Sequence, residues 1–431
     1  MRKYFFFAAI MTMALSFTAC SESNESGSGS DSNDPYKDAS YGTAAVQSCL
    51  AITTQMDVAF NALNGAELSN EQQTMLNNVL KNVVNATIIP TYTQLADAAD
   101  ELESAIGDID VNNLTQNHID KACTAFKKAR KLWEQSEAFL GGAASDFDID
   151  PTIDSWPLNR SLLLSYFSTG TYSEEALDDA SILGFHALEF IFFRDGKNRD
   201  VNDFKNGAYD TYKDFTTVKA EEEFKYAQAV VKELVLRTYQ LQVAWEGKTT
   251  ANAKRVAALD AAGEGYEYLT EKGLTYGENL TGNYGTTSAY NNLTEALQAV
   301  LNADEGSCSG IANEVGAKKI ANPFTNGYVF YVESPYSYNS ISDFQDNIRS
   351  IQNVWYGVGP NNSGTASLTP AANSFYNFFQ QNKSSVNTAV VNAIAAAITS
   401  IGNMPAPFVK YCSVYNNVAF EDSKVVDIPE D

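Results

Sequence analysis

Apolar residues recur every three or four positions along most of this chain, a period that suits helices packed on helices and little else. From Glu71 to Ile106 the apolar positions are Leu76, Val79, Leu80, Val83, Val84, Ile88 and Ile89, with Pro90 expected to kink or split the helix. From Gln116 to Phe139 they are Ile119, Ala122, Cys123, Phe126, Ala129, Leu132 and Trp133. The neighbouring basic group Lys127, Lys128, Arg130 and Lys131 is expected to face water. Further helices are predicted at about 175–193, 219–246, 286–302, 341–356, 370–381 and 386–401, with a long loop at 273–288. The best strand signal is GYVFYVES at 327–334, a candidate for a short hairpin arm or for an extended loop. The expected fold class is all-α, as two packed helical-bundle domains at 37–248 and 249–431, divided near the polar EGKTTANA segment at 246–253. A length of 431 residues also favours more than one core.

One predicted helix breaks the amphipathic rule. In ILGFHALEFIFF (182–193) every residue is apolar or glycine except His186 and Glu189. Three positions apart on a helix, those two share a face. Apolar neighbours on all sides place the helix in the interior, where an ionised carboxylate needs a proton, a cation or hydrogen-bond donors. Gly184, just before the pair, leaves room for another backbone or a ligand to approach. Three explanations fit: a buried pair that fixes helix register, a metal site, or acid–base chemistry with Glu189 orienting His186.

The remaining histidine, His118, sits at a predicted helix start and reads as a surface residue. No H-E-x-x-H occurs, and the ferritin-type E-x-x-H pair is absent, so carboxylates, water or a bound molecule would have to complete any metal site at His186. No G-x-S-x-G elbow marks a nucleophilic serine.

The N-terminus MRKYFFFAAIMTMALSFTAC carries Arg2 and Lys3, then an apolar run too short to span a bilayer, and ends on small residues. The expectation is a signal peptide at 1–19. The L-S-F-T-A-C ending resembles a lipobox with Phe17 where Leu is usual, so Cys20 is the expected lipid attachment site. A flexible Ser/Gly/acid-rich linker follows at 20–36, with Glu22 and Glu25 as in some surface-exported lipoproteins. No later stretch reads as a membrane span, which leaves lipid as the expected anchor. Export would allow disulfides among Cys49, Cys123, Cys308 and Cys412, with buried free thiols as the alternative. A formal charge of −24, from 53 acidic and 29 basic residues, repels phosphate backbones and argues against nucleic-acid partners.

GFHALEF matches the G-x-H-x-x-E motif of the imelysin-like family, and the resemblance runs on in order through the chain. ARKLWEQSEAFLGG (129–142) is similar to the family's Trp-containing helix with its S-E-x-F ending. DPTIDSWPLN (150–159) resembles its Asp–x–Trp–Pro segment, and ESPYSYNSISDFQDNIRSIQNVWYG (333–357) its C-terminal block. The resemblance implies an exported, two-bundle helical protein with the motif helix near a pocket between domains. It also implies an association either with iron or with metallopeptidase activity.

Carried over residue by residue, the resemblance makes His186 and Glu189 the functional pair, catalytic if the protein is an enzyme. Glu137, Asp154, Trp156, Gly184, Ser337, Asp343 and Asn347 become pocket residues, and His186, Glu189 and Glu137 the metal ligands. Each has a plainer alternative: a solvated acid at Glu137, a turn cap at Asp154, core packing at Trp156, helix caps at Ser337 and Asp343. The functional expectation is a cell-envelope lipoprotein on the outer membrane, at its periplasmic face or the cell surface. It would bind iron, zinc or an iron-bearing ligand in iron acquisition, with an envelope protein as a further partner. The alternatives are a metallopeptidase, or a non-catalytic surface module that uses Tyr-rich loops such as 324–340.

Overall fold

The computed structural model describes residues 34–419, apart from 65–66, 170–178, 207–214, 216–217 and 361–367. The expected signal peptide, Cys20 and all of the linker before residue 34 lie outside the described residues. Pro35–Asp431 form one compact unit.

The architecture is all-α, and the only sheet among the described residues is a two-stranded hairpin. Helix α1 (Ala39–Asn64) buries Ala45, Cys49, Ile52, Met56, Ala59 and Leu63, a stripe with helical period. Helix α2 (Asn70–Asn82) starts from a Ser69–Gln72 capping box. Its continuation shows how Pro90 is accommodated. The chain takes a π turn at Val83–Ile88 and restarts as α3 (Ile89–Gly107), so Pro90 falls in a first turn where no intrahelical N–H is needed. Helix α4 (Gln116–Glu134) opens with His118 at its third position. The His118 Nδ1 accepts from the Thr115 N–H at 3.4 Å, in keeping with the expected helix-start role.

The motif segment forms α5 (Gly184–Phe192), a shorter helix than the run 175–193 predicted, and all nine residues are buried. It ends because Phe193 turns extended and the chain reverses. Phe193–Arg194 pair with Lys197–Asn198 across Asp195–Gly196, both residues of which have positive φ. An Asp-Gly turn is a strong local hairpin signal. The expected hairpin arm at 327–334 is not seen: Val329–Tyr331 are a short 3₁₀ turn, and the two-stranded sheet among the described residues lies elsewhere, at Phe193–Asn198.

Helix α6 (Ala220–Glu246) ends at Gly247, and the following helix, Ala253–Ala262, packs back onto it. Helix α7 (Cys308–Asn313) continues through a second π turn, Glu314–Ile320. Helix α8 (Ser340–Tyr356) and helix α9 (Ser384–Gly402) lie near their predicted bounds. The predictions at 286–302 and 370–381 shrink to Leu293–Leu301 and Phe375–Asn382, capped by Asn292 and Ser374. The 273–288 loop contains a helix at Tyr276–Thr281.

Two groups of helices pack together. One is α3, α4, α5 and α6; the other is α1, α7, α8 and α9. Helix α1, first in sequence, lies against α9 near the chain's end. Contrary to the reading of its sequence, α9 is long and apolar enough to cross a membrane, yet it packs on α1 and α8 through Val390, Ile394, Ala397 and Ile401. The described cysteines are free, buried thiols, which decides against the disulfide alternative.

Candidate functional site

The two groups meet at α4 and α8, and the polar residues of α5 reach Asp154 and loop 333–339 beside that contact. His186 and Glu189 are each 1% exposed. His186 Nδ1 lies 3.3 Å from Glu189 Oε2, and Nε2 lies 3.1 Å from Asp154 Oδ1. The Trp156 ring packs against the imidazole at 4.7 Å between centroids and donates its indole N–H to the Tyr331 carbonyl at 3.2 Å. The other oxygen of Glu189 is fully engaged: it accepts from the Tyr336 N–H at 3.1 Å, the Ser337 N–H at 2.8 Å and the Ser337 hydroxyl at 2.6 Å. Glu189 therefore ties the motif helix to loop 333–339 and aims the imidazole, leaving Nε2 toward the carboxylates. The hairpin fixes the same loop from outside, since the Gly196 N–H donates to the Tyr336 carbonyl at 2.9 Å.

Gly184 has φ +72°, and a Cβ there would stand 2.2 Å from the Ile153 carbonyl oxygen. The expected close approach is real, and what approaches is the Ile153 backbone. That contact seats the turn that presents Asp154.

At the centre stands a residue expected in solvent. Arg130 is 1% exposed and buried among carboxylates, a correction to the reading of the basic group on α4. Lys127 and Lys128 do face water. The Arg130 guanidinium pairs with Asp154, with Glu134 at 2.5 Å and with Glu333 at 2.6 Å, and its Nε lies 3.6 Å from Asp343. Position 130 belongs to the apolar stripe, four after Phe126 and three before Trp133, so its phase carried a signal that composition hid. The Trp133 indole donates to Asp154 at 2.6 Å.

Of the C-terminal block, Ser337 holds Glu189. Asp343 accepts from Ser334 at 2.5 Å and from Asn339, and Asn347 donates to Glu134. Glu137 lies on the far side of the cluster, 3.6 Å from Lys319, which also reaches Glu333 at 3.3 Å. Lys319 sits on the second π turn, where the extra residue per turn shifts the inward face. Arg130, Glu134, Asp150, Lys319 and Glu333 were not picked out from the sequence. A cavity of about 480 Å³ opens beside these groups, lined by Glu137, Asp154, Trp156, Lys319 and Glu333, with Asp148, Asp150, Glu305 and Glu314 around it. Gly184, Ser337, Asp343 and Asn347 are not part of that lining.

The electrostatics follow from crowding. Glu134, Glu137, Asp150, Asp154, Glu189, Glu333 and Asp343 outnumber Arg130 and Lys319. Burial, then the neighbouring acids, pushes Asp150 up to about 7. Burial also raises Asp343 to about 7 against the pull of Arg130. Glu134 and Glu137 are driven well above the usual carboxylate range, again by burial. Asp154 behaves oppositely: burial would raise it, but Arg130 and His186 hold it below its ordinary value. In His186, burial and Arg130 favour the neutral ring, and the hydrogen bonds to Asp154 and Glu189 outweigh them, so its pKa rises.

The sign of the pH dependence is fixed by these directions. Unfolded carboxylates titrate near 4, so between about pH 4 and 7 the folded state keeps protons that the unfolded chain has released. Stability then falls as pH rises, and the raised His186 adds to the fall above its unfolded pKa of about 6.5. Asp154 contributes the reverse only below about pH 4. In chelator, the protein is expected to melt higher at pH 5 than at pH 8, by roughly 5 °C or more. Asp150→Asn and Asp343→Asn should each shrink the difference in calorimetry, which separates the cluster from general acidic repulsion. A melting temperature that rises from pH 5 to 8 contradicts this.

The donor set suits a metal. Single ligand atoms of Asp154, His186 and Glu333 lie within 4.8 Å of one another, and Glu134, Glu137 and Asp154 make a second such group. An imidazole nitrogen with carboxylate oxygens is a combination that zinc and iron accept. Of the expected ligands, His186 falls in the first of these groups and Glu137 in the second, while Glu189 lies against the far nitrogen of His186.

A helical protein with an acid-rich cluster at the seam of its bundles is the class that fold and site define. A model of the imelysin family (Peptidase_M75) matches residues 88–423, and the chain belongs to that family. Over 297 residues, 69% of this chain and 69% of the relative, it is 24% identical to iron-regulated protein A of Synechococcus elongatus. It also superposes on the crystal structure of a protein described as an iron-regulated protein A precursor from Parabacteroides distasonis. That match has a TM-score of 0.63 and 26% identity, over 82% of this chain and 92% of that one.

Proposed function

We propose that this protein binds a metal cation, iron or one of similar chemistry, between His186, Asp154 and Glu333, and serves iron acquisition in the cell envelope. One observation carries the reading: a buried imidazole nitrogen and carboxylate oxygens converge within 4.8 Å in a cluster whose acids exceed its bases. Such an excess takes up either protons or a cation. The relatives' description as iron-regulated favours iron among the cations. The acid-rich cavity wall favours a free cation over an anionic chelate, by field as well as by contact. When bound, a metal would supply positive charge to Asp154 and Glu333 and take His186 through Nε2.

In this reading Glu189 is an orienting group: its Oε1 takes three donors and its Oε2 lies 3.3 Å from His186 Nδ1, which favours holding the imidazole over the general-base role that the peptidase alternative would give it. We place the chain at the outer membrane, lipidated at Cys20 and held off by the linker at 20–36.

Isothermal titration of the purified full chain with Fe²⁺, Fe³⁺, Zn²⁺ and haem tests the binding. Saturable binding of the free cations is expected, weakened by at least about tenfold in His186→Ala, which removes the imidazole ligand. Haem is expected not to bind. Cation binding unchanged in His186→Ala contradicts the reading.

A further inference from the structure

We propose that Arg130 is the resident cation of this site, and that a metal binds by displacing its guanidinium from Asp154 and Glu333. The inference rests on the metal-binding reading above and adds to it a competitor built into the chain. The guanidinium touches each member of the donor set: it pairs with Asp154, reaches Glu333 at 2.6 Å and faces His186 Nε2 at 3.5 Å. Glu134, from the second donor group, is held at 2.5 Å by the same nitrogen that meets Glu333. A cation in contact with these atoms and a guanidinium in contact with them are alternatives, because like charges repel strongly at such separations and each oxygen has few lone pairs to offer.

The way Arg130 is held fits an exchangeable occupant. Its Nε has no hydrogen-bond partner, and the nearest carboxylate there is Asp343 at 3.6 Å. The head group is therefore held by acids, two of which, Asp154 and Glu333, a metal would take, while Glu134 and Asp343 remain to keep the displaced guanidinium paired. Two properties follow. The metal-free site stays compact, because buried carboxylates always have a cation among them. Metal affinity is lower than the acids alone would give, and only an ion able to bind imidazole together with carboxylates overcomes the guanidinium. That tuning suits a protein that takes up and hands on its cation, rather than one that keeps a permanent cofactor.

The test uses the full chain, stripped with chelator, with Zn²⁺ as a redox-inert probe. Wild type, Arg130→Gln and Arg130→Lys are compared by titration calorimetry and by the rise in melting temperature on adding Zn²⁺. The expected result is at least a tenfold tighter Zn²⁺ affinity in Arg130→Gln, a lower metal-free melting temperature and a larger rise with metal. Arg130→Lys keeps the charge and supports folding, but its compact ammonium cannot fork between acids. It should bind Zn²⁺ severalfold more tightly than wild type, and this holds the inference to account if the Gln variant does not fold. Equal or weaker Zn²⁺ binding in the variants, with binding in wild type, overturns the displacement and leaves the metal site standing. Absence of binding in all three chains removes the metal reading itself, and the inference with it.

Discussion

Replacing Glu189 by alanine is expected to remove about 3–5 kcal/mol of stability and most of the metal affinity together. Its carboxylate accepts from the Tyr336 and Ser337 N–H groups and from the Ser337 hydroxyl, while its other oxygen fixes the His186 ring. Truncation leaves buried donors without an acceptor and frees the imidazole to rotate away from the cluster. Loop 333–339, which presents Glu333 to Arg130, loses its tie to α5 at the same time. Glu189→Gln keeps the shape and one acceptor oxygen, so it should recover much of the stability and less of the affinity. Chemical denaturation and Zn²⁺ titration of both variants check this. A Glu189→Ala chain as stable as wild type would show that the motif carboxylate does not join the two helix groups.

Gly184→Ala is expected to be as damaging by a different route. The added Cβ would stand 2.2 Å from the Ile153 carbonyl oxygen, and φ of +72° is unfavourable for any L side chain. Neither a rotamer change nor a small shift relieves a backbone-to-Cβ collision, so the start of α5 and the Ile153–Asp154 turn must separate. A loss of roughly 3–5 kcal/mol, or failure to accumulate folded protein, is the expected result in denaturation and expression assays. The same displacement carries Asp154 from His186 and Arg130, so residual folded protein should bind metal poorly. A fully stable Gly184→Ala chain would contradict the packing described for this turn.

The sequence reached the all-α fold because helical period survives in almost every segment. It reached His186 and Glu189 because polar residues inside an apolar run are conspicuous. It missed what depends on partners far along the chain. Arg130 sits in KKARK, where composition suggests a solvated face, and only its phase with Phe126 and Trp133 betrays burial. Lys319 lies on a π turn, which breaks the period used to assign faces. Glu333 stands in a loop with no period at all, and its role appears only once Arg130 of α4 and Lys319 of the second π turn are brought to it. The hairpin forms not at GYVFYVES, with its alternating aromatic and β-branched residues, but at FRDGKN, where the Asp195–Gly196 turn closes it.

Metal binding at His186, between α5 and the carboxylates, can be seen directly. Anomalous diffraction from crystals of the full chain grown with Zn²⁺, recorded on both sides of the zinc absorption edge, addresses it most directly. The expected result is a peak within about 2.0–2.2 Å of His186 Nε2 and of Asp154 and Glu333 carboxylate oxygens, with the Arg130 guanidinium moved off those oxygens. Well-ordered crystals with no peak at these atoms, or with zinc only at other residues, would contradict it.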